Sequence, residues 1–109
     1  MTENQYYQIQ YLASAKGDYD HLDGSQKILI DKALNRIRLR GMQAGQPLRG
    51  ALAGFNKLKH KRAGLRIIFT QENQQIKIIE IVAIGKREDK KVYHLAEQRI
   101  KKLPSKKRS

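Results

Sequence analysis

Apolar and polar residues alternate over Tyr6–Leu12, which places Tyr7, Ile9 and Tyr11 on one face of a predicted strand. A weaker helical pattern follows over Ser14–Leu22, interrupted by Gly17. Asp23-Gly24-Ser25 then supplies a turn and an N-cap, after which Ile30, Ala33, Leu34 and Ile37 recur at helical spacing. Gly41 ends this second helix behind Arg40, whose cation suits the negative end of the helix dipole. The next stretch, Gly41–Gly54, holds four glycines and Pro47 and reads as a loop with one local turn.

Three strand-like segments come next. Phe55–His60 alternates, Gly64–Gln71 puts Leu65, Ile67 and Phe69 on one face, and Gln75–Ile84 ends almost continuously apolar. The gaps Lys61–Ala63 and Glu72–Gln74 are short enough for hairpins, so these strands are expected to be antiparallel. Both faces of Ile78–Ile84 are apolar apart from Glu80, the pattern of a central strand covered on both sides. Gly85–Asp89 reads as a polar turn. Val92, Leu95, Ala96, Ile100 and Leu103 then give a last helix, stopped by Pro104. The expectation is an α+β fold: a small four-stranded, largely antiparallel sheet with two N-terminal helices and a C-terminal helix. Residues 1–104 form one domain, without internal repeat or linker. Residues 105–109 lack an apolar anchor and are expected to be a disordered basic tail.

Charge changes the picture more than composition does. The chain of 109 residues carries 23 Lys and Arg against 10 Asp and Glu, a formal net charge of +13. Residues 1–35 hold three lysines and five carboxylates, a net −2; residues 36–109 hold twenty bases and five carboxylates, a net +15. A surface built only for solubility mixes the signs. One strongly basic half instead reads as a footprint for phosphate, which argues against a neutral metabolic enzyme. A membrane surface is disfavoured, because most of this charge lies on strand-like segments and not on one amphipathic helix. The absence of cysteine excludes disulfides, thiol nucleophiles and Cys-based zinc sites. With no apolar run of membrane-spanning length and no basic start to Met1–Gln10, the expected compartment is the cytoplasm.

His21, His60 and His94 are scattered without metal-ligand spacing, and no phosphate-binding glycine loop occurs, so no metal or cofactor is expected. Chemistry then falls to cations and a phenol. Lys57 and Lys59, two apart on a strand, project from one face. Arg66 lies on the next strand of the predicted hairpin, Arg87 just after the central strand, and Tyr93 at the first turn of the last helix. Like charges gathered on a sheet face cost stability unless an anion bridges them. A nucleic-acid phosphate is such an anion. His94 is expected on the surface, Arg36, Arg38 and Arg40 on a solvated helix face, and Tyr6, Tyr7 and Tyr11 in sheet packing. Lys101, Lys102, Lys106, Lys107 and Arg108 make a tail suited to polyanions without sequence choice.

Four short motifs, in order and with matching intervals, carry a resemblance. Leu48-Arg49-Gly50, Lys57-Leu58-Lys59, Gly64-Leu65-Arg66-Ile67-Ile68-Phe69 and Ile84-Gly85-Lys86-Arg87-Glu88 through Val92-Tyr93 resemble the RelE family of ribosome-dependent mRNA endonucleases. These are toxins of bacterial toxin–antitoxin pairs within the wider RelE/ParE fold. The match runs from about Pro47 to Ile100; the first 46 residues match only as a strand followed by two helices.

The resemblance implies translation inhibition by metal-independent mRNA cleavage. It places Tyr93 as general base, Arg87 as general acid, and Lys57, Lys59 and Arg66 around the scissile phosphate. His60, Lys61, Arg62, Lys86 and Lys90 are the accompanying candidates for RNA binding. Implied partners are the ribosome with its mRNA and a small acidic antitoxin, with operator DNA reached only through the antitoxin complex. The chemistry is coherent, since RNA supplies its own 2′-hydroxyl nucleophile. A phenol, with a reference pKa near 10, is a weak base at neutral pH, and neighbouring cations favour its ionised form. An arginine is a weak acid but a two-pronged holder of phosphate oxygens, so stabilising the transition state is the firmer role for Arg87. Two alternatives stand beside this reading. One is a non-catalytic gyrase-poisoning relative like the ParE branch, which generally lacks the full cation and tyrosine set. The other is a basic RNA-binding module, which needs no tyrosine–arginine pair.

Overall fold

The computed structural model describes residues 6–73, 76–86 and 91–101. Among these, one mixed sheet is built from β1 (Gln8–Tyr11), β2 (Gln46–Pro47), β3 (Asn56–His60), β4 (Leu65–Asn73) and β5 (Ile76–Lys86). Their spatial order is β1-β5-β4-β3-β2. Helices α1 (Ala13–Asp20) and α2 (Gly24–Arg40) follow β1, and α3 (Lys91–Lys101) follows β5.

Two expectations about the sheet are corrected. It has five strands and not four, because the glycine-rich segment contributes β2, paired through Gln46–Lys57 and Pro47–Asn56. Two residues inside a loop offer no alternation to read. The sheet is also mixed, since β1 runs parallel to β5, aligning Gln8 with Ile78 and Tyr11 with Ile81. A short turn forces antiparallel pairing only between consecutive strands. Two helices separate β1 from the rest, and no turn fixes its direction. The other pairs are antiparallel.

Local sequence accounts for the helices. At the start of α2, Asp23 Oδ1 accepts the Gln26 N–H (2.8 Å) while Gln26 Oε1 accepts the Asp23 N–H (3.1 Å), a reciprocal capping box. The Gln26 N–H and then the Ser25 hydroxyl hold the Asp23 carboxyl below its usual range, with a smaller contribution from Lys86. Helix α1 is regular across Gly17, and its ends, Ala13 and Asp20, lie slightly before those of the expected Ser14–Leu22. The stretch Gly41–Gly54 contains two 3-10 turns, Gly41–Ala44 and Gly50–Leu52. Gly41 adopts φ +62°, and a Cβ there would fall 2.4 Å from the Tyr7 ring, so both backbone and space demand glycine.

The sheet is covered on both faces, as the apolar run of β5 predicts. Ile30, Leu34 and Ile37 of α2 and Ala15 of α1 pack on Leu58, Leu65, Ile67, Phe69, Ile79 and Ile81, joined by Tyr7, Ile9 and Tyr11. On the opposite face Val92, Ala96 and Ile100 of α3 pack on Ile68, Val82, Ala83 and Leu52. Leu95, expected in this stripe, is exposed, and so is Tyr6, expected in sheet packing. The 105–109 tail, Leu103 and Pro104 lie outside the described residues. No helix among the described residues is long and apolar enough to cross a membrane.

Candidate active site

An irregularity in the β4–β5 ladder sets which side chains meet α3. Ile68 pairs with Ala83 but Phe69 pairs with Ile81, leaving Val82 as an extra residue. Val82 and Ala83 therefore both face α3, while Ile81 and Ile84 both face the α1–α2 core. Without this bulge the alternation would carry Gly85 to the wrong side. With it, Gly85 lies opposite Arg66 and beneath α3. A Cβ on Gly85 would stand 3.2 Å from Val92 Cβ, so the bare glycine lets the first turn of α3 come down on the sheet. The expected polar turn beginning at Gly85 is corrected here: β5 runs on through Lys86.

Four of the predicted residues, Lys57, Lys59, Arg66 and Tyr93, gather on this face. Lys59 and Arg66 stand directly opposite each other across β3 and β4, and Lys57 is two residues along β3 on the same side. Arg66 Nη1 donates a short hydrogen bond to the Tyr93 hydroxyl, and its guanidinium carbon lies 5.6 Å from the Tyr93 ring centre. The phenol is thus held by one arginine at its hydroxyl end. Arg66 Nε is buried and has no acceptor among the described residues. A buried donor left unmet costs about 1–3 kcal/mol. Beside it lies a pocket of about 130 Å³ lined by Lys59, His60, Lys61, Gly64, Leu65 and Arg66. Next to that, a cleft of about 160 Å³ involves Lys57, Lys59 and Lys61 together with Gly45 and Gln46.

The remaining candidates distribute differently. Arg87 and Lys90 lie outside the described residues. Lys61 is exposed at the tip of the β3–β4 hairpin. His60 and Arg62 line a groove against Leu29 and Lys32 of α2, on the side away from Tyr93. The His60 Nδ1 accepts the Ala63 N–H at 3.2 Å, which leaves the proton of the neutral ring on Nε2. Lys86, aligned with Leu65, alternates to the α1–α2 side and not to the Tyr93 side. His94 is exposed, as are Arg36 and Arg40; Arg38 is half-buried and donates to Asn35 Oδ1 at 2.7 Å. Gly85 is the residue that sequence reasoning missed. The signal was present, since a glycine between Ile84 and Lys86 interrupts a strand pattern without a second turn residue beside it.

The fold and this face define a class: a small basic α+β protein whose sheet gathers lysines, a half-buried arginine and a helix-borne phenol on one face. No family model matches the chain. An Escherichia coli protein described as a RelE-like toxin is 30% identical over 95 residues, covering 87% of this chain and 98% of that one. This chain belongs to the RelE-like toxin family. Solved structures agree on the fold. A doubly substituted E. coli RelE toxin in the free state matches with a TM-score of 0.70 at 22% identity, covering 87% of this chain and 98% of that one. The same toxin bound to an antitoxin peptide gives 0.65 at 21% identity, covering 84% and 94%. A toxin–antitoxin complex from Mycobacterium tuberculosis gives 0.66 at 17% identity, covering 80% and 98%.

Proposed function

We propose that this RelE-like toxin is a ribosome-dependent endoribonuclease that cleaves mRNA by attack of a 2′-hydroxyl on the adjacent phosphate. The observation that carries the reading is Arg66: its guanidinium grips the Tyr93 hydroxyl on the sheet face that it shares with Lys57 and Lys59. A phosphate held by this guanidinium and the two lysines would lie within reach of the phenol. With Tyr93 acting as the phenolate, the 2′-hydroxyl proton passes to its oxygen as the O2′–P bond forms. The P–O5′ bond then breaks, and the departing 5′-oxygen takes a proton from solvent water. The products are a 2′,3′-cyclic phosphate and a 5′-hydroxyl. Lys57, Lys59 and Arg66 offset the charge that builds on the phosphorane, and Arg87 stabilises the same oxygens from the segment before α3.

This route asks for no metal, because the substrate brings its nucleophile and the protein brings the cations. It does ask for positioning. A phenol and a guanidinium are weak acid–base groups, and an mRNA held in the ribosome supplies orientation that is worth about 7–11 kcal/mol in favourable cases. The cytoplasm is where such a substrate is met.

The complexes of related toxins with antitoxins support a cognate antitoxin here. The +15 half calls for an acidic partner, and an amphipathic segment that folds on binding would cover it best. Operator DNA would be reached through that partner. Mapping mRNA ends on translating ribosomes with purified protein tests the reading: cyclic phosphate ends are expected, and 3′-hydroxyl ends would overturn it. Arg87→Ala should cleave about 10²–10³-fold more slowly on saturated ribosomes.

A further inference from the structure

The longest strand outruns its neighbour. β1 pairs with β5 only over Ile78–Ile81, and the Leu12 N–H donates to the Ile81 carbonyl (3.0 Å) where the chain turns into α1. Past that point the same edge of β5 still carries the Val82 carbonyl and the Ile84 N–H, two groups that a continuing strand would satisfy. Side chains take its place. Asp18 Oδ2 accepts the Ile84 N–H at 3.0 Å, and Arg99 Nη1 donates to the Val82 oxygen at 2.8 Å. The two are joined in a fork, Nη1 to Oδ2 at 2.7 Å and Nη2 to Oδ1 at 3.1 Å. Their side chains are 16% and 15% exposed, so the pair is largely shielded from water.

Arg99 belongs to α3, and that makes this clasp more than an edge repair. With about 100° per residue, Tyr93 lies roughly 60° to one side of the buried Val92–Ala96–Ile100 stripe and Arg99 roughly 60° to the other. Apolar burial presses α3 onto the sheet but is non-directional and leaves its roll weakly defined. Directional polar bonds fix the roll: Tyr93 to Arg66 on β4 at one flank, Arg99 to Asp18 and Val82 at the other. Releasing the second flank frees the first to turn.

We propose that Asp18 and Arg99 are positioning residues that set the roll of α3 and so present the Tyr93 hydroxyl to Arg66. The functional half of this inference rests on Tyr93 taking part in RNA cleavage; the geometric half does not. The test uses the full chain labelled with ¹³C at tyrosine Cζ, the Tyr93 signal being identified by its loss in Tyr93→Phe. In Asp18→Asn and Arg99→Lys that signal should move towards its position in Arg66→Ala, where the partner of the hydroxyl is gone. Single-turnover cleavage on saturating ribosomes should fall about 10–100-fold with ribosome affinity unchanged, the scale expected for misplacing a reacting group. Arg99→Lys keeps the cation and loses only the fork, so it carries the comparison should Asp18→Asn fail to fold. A wild-type Tyr93 signal in a folded variant overturns the proposal, and so does a moved signal with undiminished cleavage. Wild-type protein that cleaves nothing, with the signal moving as expected, would refute the nuclease reading while upholding the clasp.

Discussion

Gly85 and Val92 stand so close that a methyl group on Gly85 would come to 3.2 Å from Val92 Cβ. Gly85 is also the residue aligned with Arg66, so any lift of α3 at this point is felt at Tyr93. Gly85→Ala is expected to cost about 1–3 kcal/mol, as overpacking does. Cleavage should fall further than that loss explains, measured at a temperature where the variant is fully folded. A variant that is destabilised yet cleaves at the wild-type rate would separate the helix seat from the chemistry.

Tyr93→Phe keeps the ring beside Arg66 and removes only the hydroxyl that the guanidinium holds. The expected outcome is a cleavage rate lower by about 10²–10³ with ribosome binding retained. Arg66→Ala should match it in rate and also weaken binding, because it removes a phosphate ligand. Sedimentation with ribosomes, alongside single-turnover cleavage, distinguishes the two.

Much of this arrangement is legible in the sequence, and the parts that are not share a cause. Alternation at Leu65, Ile67 and Phe69 and helical spacing at Ile30, Leu34 and Ile37 report burial, and those residues are buried. The pairing of Lys59 with Arg66 follows from a short hairpin gap. Pattern reasoning fails where a contact depends on elements far apart in the chain. The parallel docking of β1 and the Asp18–Arg99 clasp belong to that group. The bulge at Val82 is a different failure: a residue inserted into a continuously apolar run leaves no break in polarity to detect. It decides which face Gly85 and Lys86 occupy, so Lys86 falls on the α1–α2 side.

The Tyr19 hydroxyl donates to Asp31 Oδ1 at 2.7 Å, tying α1 to α2. That bond needs the phenolic proton, and it pushes the Tyr19 pKa up from 10.0 to about 12. A raised folded-state value means the stabilisation is present below the ordinary phenol range and is lost as pH rises towards 12. The stability difference between wild type and Tyr19→Phe should therefore hold steady up to about pH 9 and shrink above it. Denaturant unfolding at a series of pH values measures this directly.

Asn56 is buried at the start of β3 and donates through Nδ2 to the Met42 carbonyl at 2.7 Å. Asn56→Ala should cost about 1–3 kcal/mol by stranding that carbonyl. Met42, like Ala44, packs against the α1–α2 core and Tyr93 belongs to the opposite cluster, so cleavage should be preserved. Loss of activity in a folded Asn56→Ala protein would show that this turn supports the reacting face.

The alignment of Gln8 with Ile78 has a consequence for the order in which a newly made chain takes shape. Synthesis releases the N-terminal segment first, yet β1 has no strand to join until β5 has emerged. Closing a loop of that span is slow compared with forming α1 and α2 locally. Tyr93 and Arg99 come later still. A nascent chain therefore exposes its lysines before it can assemble the Tyr93–Arg66 pair, and that face of the sheet is complete only once the last helix has emerged.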